Sequence, residues 1–330
     1  MYFDLDDEQR DLAAAARDFL TSASPAAARS ALEAGTTYVP PGRVELVKSG
    51  FAAITVPEQS GGGGGTVLDL AVVAEQAGRV LAGPSLVTFA RAAVLLEGHD
   101  ERLAALADGS LAVAVVDEGP VLDAAEAETF LALRGDDLVL GGGIVTEREA
   151  VDPTRGLADV SLADVEVVEA GARDRWTRAL QVGRTILAAE GLGSAARALE
   201  LGLEYAKERH AFGRPIGSYQ AVKHSLVDVY VEVEQLRSLV WWAAWAADNA
   251  PDELPTASAA AKAASATTLE LAVETLIQVH GGIGFTWEHD AHLFWRRAKV
   301  DRFLLGDDVA AFDEVARLAT GGAATRRGER

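Results

Sequence analysis

The spacing of apolar residues changes twice along the chain, and that double change limits the folds open to it. From Asp6 to about Leu106, alanine, leucine and charged residues recur at helical spacing. Breaks fall at Pro25, at Pro40-Pro41 and at Ser60 followed by five glycines. Between Leu111 and about Glu169 the pattern shortens to Leu111-Ala-Val-Ala-Val-Val, Phe130-Leu-Ala-Leu-Arg, Asp137-Leu-Val-Leu and Asp164-Val-Glu-Val-Val, separated by Gly, Asp and Pro. From Ala172 to Leu318 helical spacing returns, with few breakers outside Pro215, Asn249-Ala-Pro251 and Gly281-Gly-Ile-Gly284. Helices near 174–208, 219–249, 256–280 and 290–319 are expected to pack as a four-helix bundle. The expected organisation is a helical unit over 1–108, a β-module over 109–170, the bundle over 171–320 and a frayed polar tail over 321–330.

Composition removes several function classes. Apolar residues make up 49% of the 330, enough for a sizeable buried core, and no long uncharged apolar run predicts a membrane span. The start, Met1-Tyr-Phe-Asp-Leu-Asp-Asp-Glu, is acidic and unlike a signal peptide, so a cytoplasmic protein is expected. The absence of cysteine excludes disulfides, thiolate metal sites and cysteine nucleophiles. A net charge of −20 repels a phosphate backbone and argues against nucleic acid as a partner. Any nucleotide-bearing ligand must instead be met by local arginines and amide donors.

Two segments carry the richest chemistry. The first is Tyr205-Ala-Lys-Glu-Arg209-His-Ala-Phe212-Gly213-Arg-Pro215-Ile-Gly-Ser-Tyr-Gln220; the second is Gln278-Val-His-Gly281-Gly282-Ile-Gly284-Phe-Thr-Trp-Glu288. Arg209, taken alone, could simply complement a helix C-terminus. A helix cap explains one of the three glycines 281, 282 and 284, and a ligand approaching the backbone closely explains the set better. His280, His289 and His292 lie near Glu288 and Asp290 but form no recognised metal-ligand pattern, so no metal site is expected. Trp241 and Trp245, one turn apart, and the adjacent Trp242 read as core or interface packing.

Together the two segments resemble the signature regions of the acyl-CoA dehydrogenase family, and Phe51-Ala-Ala-Ile-Thr-Val-Pro57-Glu58 resembles a third family motif. The resemblance implies a mainly α fold with a short β-barrel between an N-terminal helical domain and a C-terminal four-helix bundle. It implies FAD as cofactor, with Arg209, Phe212, Gln220, Gln278, Gly281 and Gly282 contacting the AMP and pyrophosphate of a flavin held mainly by a neighbouring subunit. Arg184 matches a family arginine near the substrate. The family reaction is α,β-dehydrogenation of an acyl-CoA thioester, with electrons passed to an electron-transfer flavoprotein or a similar acceptor.

This chain departs from the family at the chemistry itself. Many relatives carry the proton-abstracting glutamate just before a glycine near the C-terminus, where this chain has Leu305 before Gly306. An alternative base position, one residue before the arginine on the first bundle helix, holds Gly183. The β-module is about half the usual length and has no tryptophan in the stretch Leu138–Arg148. No catalytic residue is therefore assigned. The role the resemblance implies is a partner subunit of a heteromeric α2β2 dehydrogenase, in lipid β-oxidation of steroid side-chain type. Two alternatives stay open: a self-sufficient homo-oligomer with its base moved to Glu190, and a non-catalytic structural or regulatory partner.

Overall fold

A computed structural model describes residues 4–21, 25–34, 42–83 and 85–321. Pro40-Pro41 and tail residues 322–330 lie outside the described residues. Six helices come first: α1 (Asp7–Leu20), α2 (Pro25–Glu33), α3 (Arg43–Lys48), α4 (Val67–Arg79), α5 (Leu86–Leu95) and α6 (Asp100–Asp108). Capping boxes start two of them, Asp6 with Gln9 at α1 and Thr66 with Asp69 at α4. The glycine run before α4 folds back on residues 53–56 through amide bonds from Gly63 to Ala53 O (2.9 Å), Gly64 to Val56 O (2.9 Å) and Gly65 to Ile54 O (2.8 Å). A Cβ at Gly62 would stand 2.1 Å from Val56 O, so the loop needs glycine to lie this close.

Four strands follow in one mixed sheet: β1 (Val113–Val116), β2 (Thr129–Arg134), β3 (Asp137–Glu147) and β4 (Ala158–Glu169), paired in that order. β1 runs parallel to β2; β2–β3 and β3–β4 are antiparallel. Strands β3 and β4 extend well beyond the runs the sequence pattern marked. Gly141 to Gly143 look like a break in sequence, yet they continue β3 through a bulge between Leu140 and Gly142. A Cβ on Gly141 would meet Val165 Cα at 2.7 Å, so the close crossing of the two strands depends on glycine.

The bundle consists of α7 (Arg173–Glu208), a small hairpin of β5 (His210–Ala211) and β6 (Arg214–Pro215), then α8 (Gln220–Asn249), α9 (Leu254–His280), α10 (Ala291–Asp301) and α11 (Asp308–Ala319). The single helix expected over 290–319 is two. Leu305 (φ 58°) and Gly306 (φ 96°) both adopt left-handed conformations that a continuing helix cannot contain. The Asp307 side chain then accepts from Ala310 N at 2.7 Å and caps the new helix. Trp241, Trp242 and Trp245 pack half-buried against the main core.

That core is continuous from the N-terminal helices through α7, α8 and α9 to α10. Helix α7, about 54 Å long at 1.5 Å per residue, is its axis. Small residues set how closely its neighbours approach. A Cβ added to Gly193 would lie 1.8 Å from Glu75 O in α4, and one added to Gly78 of α4 would lie 1.9 Å from Glu190 O in α7. Each helix thus lays a glycine against the other's backbone, and neither obstacle is a side chain that could swing aside. We expect Gly193→Ala to destabilise the protein by about 1–3 kcal/mol through overpacking, measured as a lower denaturation midpoint in urea. An unchanged midpoint would show that the α4–α7 contact can open without cost.

Candidate functional site

Two features stand apart on the bundle. One is the far end of α7. Arg209 is the C-cap of that helix, and Ile216 N donates to its carbonyl at 2.7 Å, closing the hairpin. The hairpin turns on Phe212 (φ 51°) and Gly213 (φ 79°), the positive-φ pair of a two-residue turn with matched twist. A bulky residue at positive φ is costly, yet Phe212 is also 96% exposed, so its ring is left uncovered among the described residues. Gln220 opens α8 and is exposed; Gln278, Gly281 and Gly282 at the end of α9 are exposed too.

The two segments meet through ring stacking. Tyr205, one turn before Arg209, stacks on His280 at 4.1 Å between ring centres, and His280 meets His289 at 4.2 Å. Burial lowers the affinity of both imidazoles for protons and favours their neutral forms. The Arg209 guanidinium makes no ion pair among the described residues. A Cβ on Gly282 would meet nothing within 4 Å, and its φ is not positive, so neither packing nor backbone on this chain calls for glycine there. An exposed cation, an exposed ring and a glycine with open space in front fit the anionic, nucleotide half of a dinucleotide approaching from outside.

The second feature is a cavity of about 390 Å³ between α5, β1, α7 and the α10–α11 turn. Leu305 and Leu304 line it, with Val87, Val115, Leu187 and Phe303 among the other apolar walls. A Cβ at Gly183 would lie 2.7 Å from Arg91 Cδ and 3.1 Å from Leu305 Cδ1. The two positions considered for a base are therefore neighbours, and the Arg91 stem with the Leu305 side chain occupies the space between them. Arg184 serves the same turn. Its Nε donates to Leu305 O at 2.8 Å and its Nη1 to Glu314 at 2.7 Å. Arg184 and Arg209 are 25 residues apart on one helix, about 37 Å, so they cannot serve one ligand site on this chain.

Below the cavity lies a buried charge network with no local signal in the sequence. Arg155, in the short turn between β3 and β4, donates to both oxygens of Asp301 at 2.8 and 2.6 Å and to Glu190. Glu190 also accepts from Ser85 Oγ at 2.8 Å and Leu86 N at 3.2 Å. With both oxygens engaged and only 2% exposure, Glu190 is not among the residues lining the cavity. Burial acts against the Arg155 charge, but Asp301 and Glu190 more than offset it, and the guanidinium holds its proton more tightly than usual. Lys262 Nζ donates to the carbonyls of Asp301 (2.9 Å) and Arg302 (3.0 Å), and burial brings its pKa down to about 8. Asp152 and Thr154 bind the buried Arg297 at 2.6 Å each.

These features agree with what the sequence is similar to. The sequence model of the acyl-CoA dehydrogenase N-terminal domain matches residues 6–101, and that of the acyl-CoA dehydrogenase C-terminal domain matches residues 173–319. The chain belongs to the acyl-CoA dehydrogenase family. Acyl-CoA dehydrogenase IpdE2 of Mycobacterium tuberculosis is 37% identical over 285 residues, covering 84% of this chain and 86% of the relative. The structure of the Tcur3481-Tcur3483 steroid ACAD G363A variant is similar, with a TM-score of 0.81 at 27% identity, over 97% of this chain and 99% of that one. The ChsE4-ChsE5 complex from Mycobacterium tuberculosis shares the fold with a TM-score of 0.84 at 23% identity, over 98% and 100%. The acyl-CoA dehydrogenases are FAD-dependent oxidoreductases. Among the described residues no helix is long and apolar enough to cross a membrane.

One titration is open to test. Asp123 accepts from Ser85 N at 3.1 Å and from the Thr88 hydroxyl, yet burial raises its carboxyl from 3.8 to about 6. The native state therefore holds this proton where the unfolded chain has released it. The resulting stabilisation is complete below the unfolded value and is lost as pH rises through the folded one. Asp123→Asn has no such dependence. In urea titrations between about pH 4 and pH 7, wild type should lose stability relative to the variant as pH rises; the opposite slope would mean Asp123 is ionised in the native protein throughout.

Proposed function

We propose that this chain is the partner subunit of a heteromeric, FAD-dependent acyl-CoA dehydrogenase, built as an α2β2 tetramer with a homologous chain. The observation that carries the reading is a contrast within one molecule. The end that would grip a flavin's nucleotide is exposed and unpaired, while both positions for a base are an isobutyl group and a glycine packed against Arg91. Arg209 would pair with the pyrophosphate, Phe212 and Gln220 would line the cofactor, and the backbone at Gly281 and Gly282 would lie against the AMP half next to Gln278. The flavin, when bound, supplies the hydride acceptor. The partner chain supplies the carboxylate that removes the α-proton and the cradle for the redox ring.

Arg184 matches a family arginine near the substrate. Its donors hold the Leu305 turn and Glu314, so we assign it to shaping the cavity wall. The substrate class is an acyl-CoA thioester, with a steroid-derived acyl group favoured by the similarity to the Tcur3481-Tcur3483 steroid ACAD variant. Electrons would leave to an electron-transfer flavoprotein or similar acceptor. The rival reading, a complete enzyme using Glu190, has against it the engagement of that carboxylate by Arg155, Ser85 and Leu86.

The deciding measurement is the visible spectrum of the purified chain, alone and co-expressed with its homologous partner. We expect a colourless lone chain and a yellow pair, and we expect Arg209→Ala to strip flavin from the pair. A yellow lone chain that bleaches with an acyl-CoA would overturn the reading. Leu305→Glu should leave the isolated chain without turnover in a dye-reduction assay, because a restored carboxylate still lacks a ring to receive the hydride. Turnover from that variant would show that the lone chain binds flavin productively.

A further inference from the structure

Residues 281–288 form the loop between α9 and α10 that carries Gly281 and Gly282, and an imidazole stands at each end of it. His280, the last residue of α9 and 5% exposed, stacks on Tyr205 of α7 at 4.1 Å with 23° between the ring planes. His289 meets the His280 ring from the other end of the loop, at 4.2 Å and 43°. The two rings in contact close the base of the loop. Through Tyr205, one turn before Arg209, they also tie it to the end of α7.

The hydrogen bonds of the two rings require opposite tautomers. Nδ1 of His280 lies 2.9 Å from Leu276 O; a carbonyl only accepts, so this nitrogen carries the proton. Nδ1 of His289 accepts from Ala291 N at 3.1 Å, so it is bare and the proton sits on Nε2. Ala291 is the first residue of α10, and Asp290 at the N-cap makes no side-chain capping bond; its carboxylate pairs with Arg29 of α2 at 2.8 Å. His289 thus satisfies a helix amide that Asp290 leaves free. A proton added at His289 Nδ1 would turn two N–H groups toward each other and set an imidazolium against the His280 ring. The other titratable or charged groups near the pair are Tyr205 and Arg197 of α7, Arg29 of α2, His292 of α10 and Asp290 itself. Asp290 favours the imidazolium, but burial first, then His280 and the two arginines, oppose it and hold His289 below the ordinary value of 6.5.

We propose that His280 and His289 are positioning residues for the nucleotide half of the flavin: as an opposed pair of neutral tautomers they hold the Gly281–Gly282 backbone in fixed relation to Arg209, and protonation of His289 releases it. Neither ring has to touch the cofactor. The link to flavin rests on the partner-subunit reading, whereas the tautomers and the cap on α10 do not. Because the native His289 ring binds its proton less readily than a free imidazole, the arrangement is complete above the ordinary histidine value and is lost as pH falls through the lowered one.

The test has two arms. The first takes the flavin-free, full-length chain with nitrogen-15 in its six histidines, the signals assigned with His280→Gln and His289→Asn. At about pH 7.5, where a free imidazole is neutral, the ring-nitrogen shifts should report Nδ1–H for His280 and Nε2–H for His289. The same tautomer at both, or a charged His289, would overturn the proposal. The second arm follows flavin release from the co-expressed pair by flavin fluorescence. Between about pH 7.5 and about pH 5 the wild-type dissociation constant should rise at least about tenfold. His289→Asn has an Oδ1 that can accept from the amide two residues on but takes up no proton, and its constant should change less than about threefold over the same range. His289→Ala, with no acceptor, should hold flavin weakly at both pH values. Equal pH dependence in wild type and His289→Asn would overturn the inference and leave the partner-subunit reading standing. A pair without flavin at either pH would overturn that reading and the positioning role with it, whatever the tautomers.

Discussion

The guanidinium of Arg155, buried between Glu190 of α7 and Asp301 of α10, ties together elements that nothing in chain order brings near one another. Glu190 reaches on to the N-cap of α5 through Ser85 and Leu86 N, and Lys262 of α9 holds the last carbonyls of α10. The walls of the cavity are therefore fastened to one another beneath it by charge as well as by the apolar core they share. A buried arrangement of this kind adds little net stability over a well-packed apolar one, but removing one member strands the rest. Its consequence is geometric: the β3–β4 connection, α5, α7 and the α10–α11 turn stand in fixed relation.

Packing and charge divide the work along α7. Along its middle, Gly193 lets α4 approach to backbone distance, Gly191 leaves room for the Ser265 hydroxyl of α9, and Gly183 for the stem of Arg91. Toward its C-terminal end the residues turn outward, and the Arg209 side chain, the Phe212 ring and the space before Gly282 stay open among the described residues. One helix thus borders a base-free cavity along its length and carries an open, anion-compatible surface at its tip. That asymmetry is what the partner-subunit proposal interprets.

Much of the fold was legible because helical and strand periodicities are local. The spacing of apolar residues marked the helix–strand–helix order and three of the bundle helices closely. It missed the split of the last helix, since the left-handed turn at Leu305 is held by Arg184 across the bundle and not by neighbours in sequence. It ended β3 early at Gly141, because glycine punctuates a pattern even where a bulge and a facing backbone require it. Arg209 and Gln278 stood out by motif, but the stacking of Tyr205 on His280 that joins their segments did not.

The sequence by itself determined the family, the element types, the lack of a carboxylate at positions 183 and 305, and the motif residues around Arg209 and Gln278. These depend on residue identity and short-range spacing. Only the tertiary structure decided that Glu190 is bound by Arg155, 35 residues away in sequence, and that Asp301, 146 residues from Arg155, completes the set. It also decided that positions 183 and 305 meet beside a cavity, with the Arg91 stem between them. Whether a carboxylate is available or a donor is already engaged depends on its partners, and those partners are chosen by packing rather than by position in the chain.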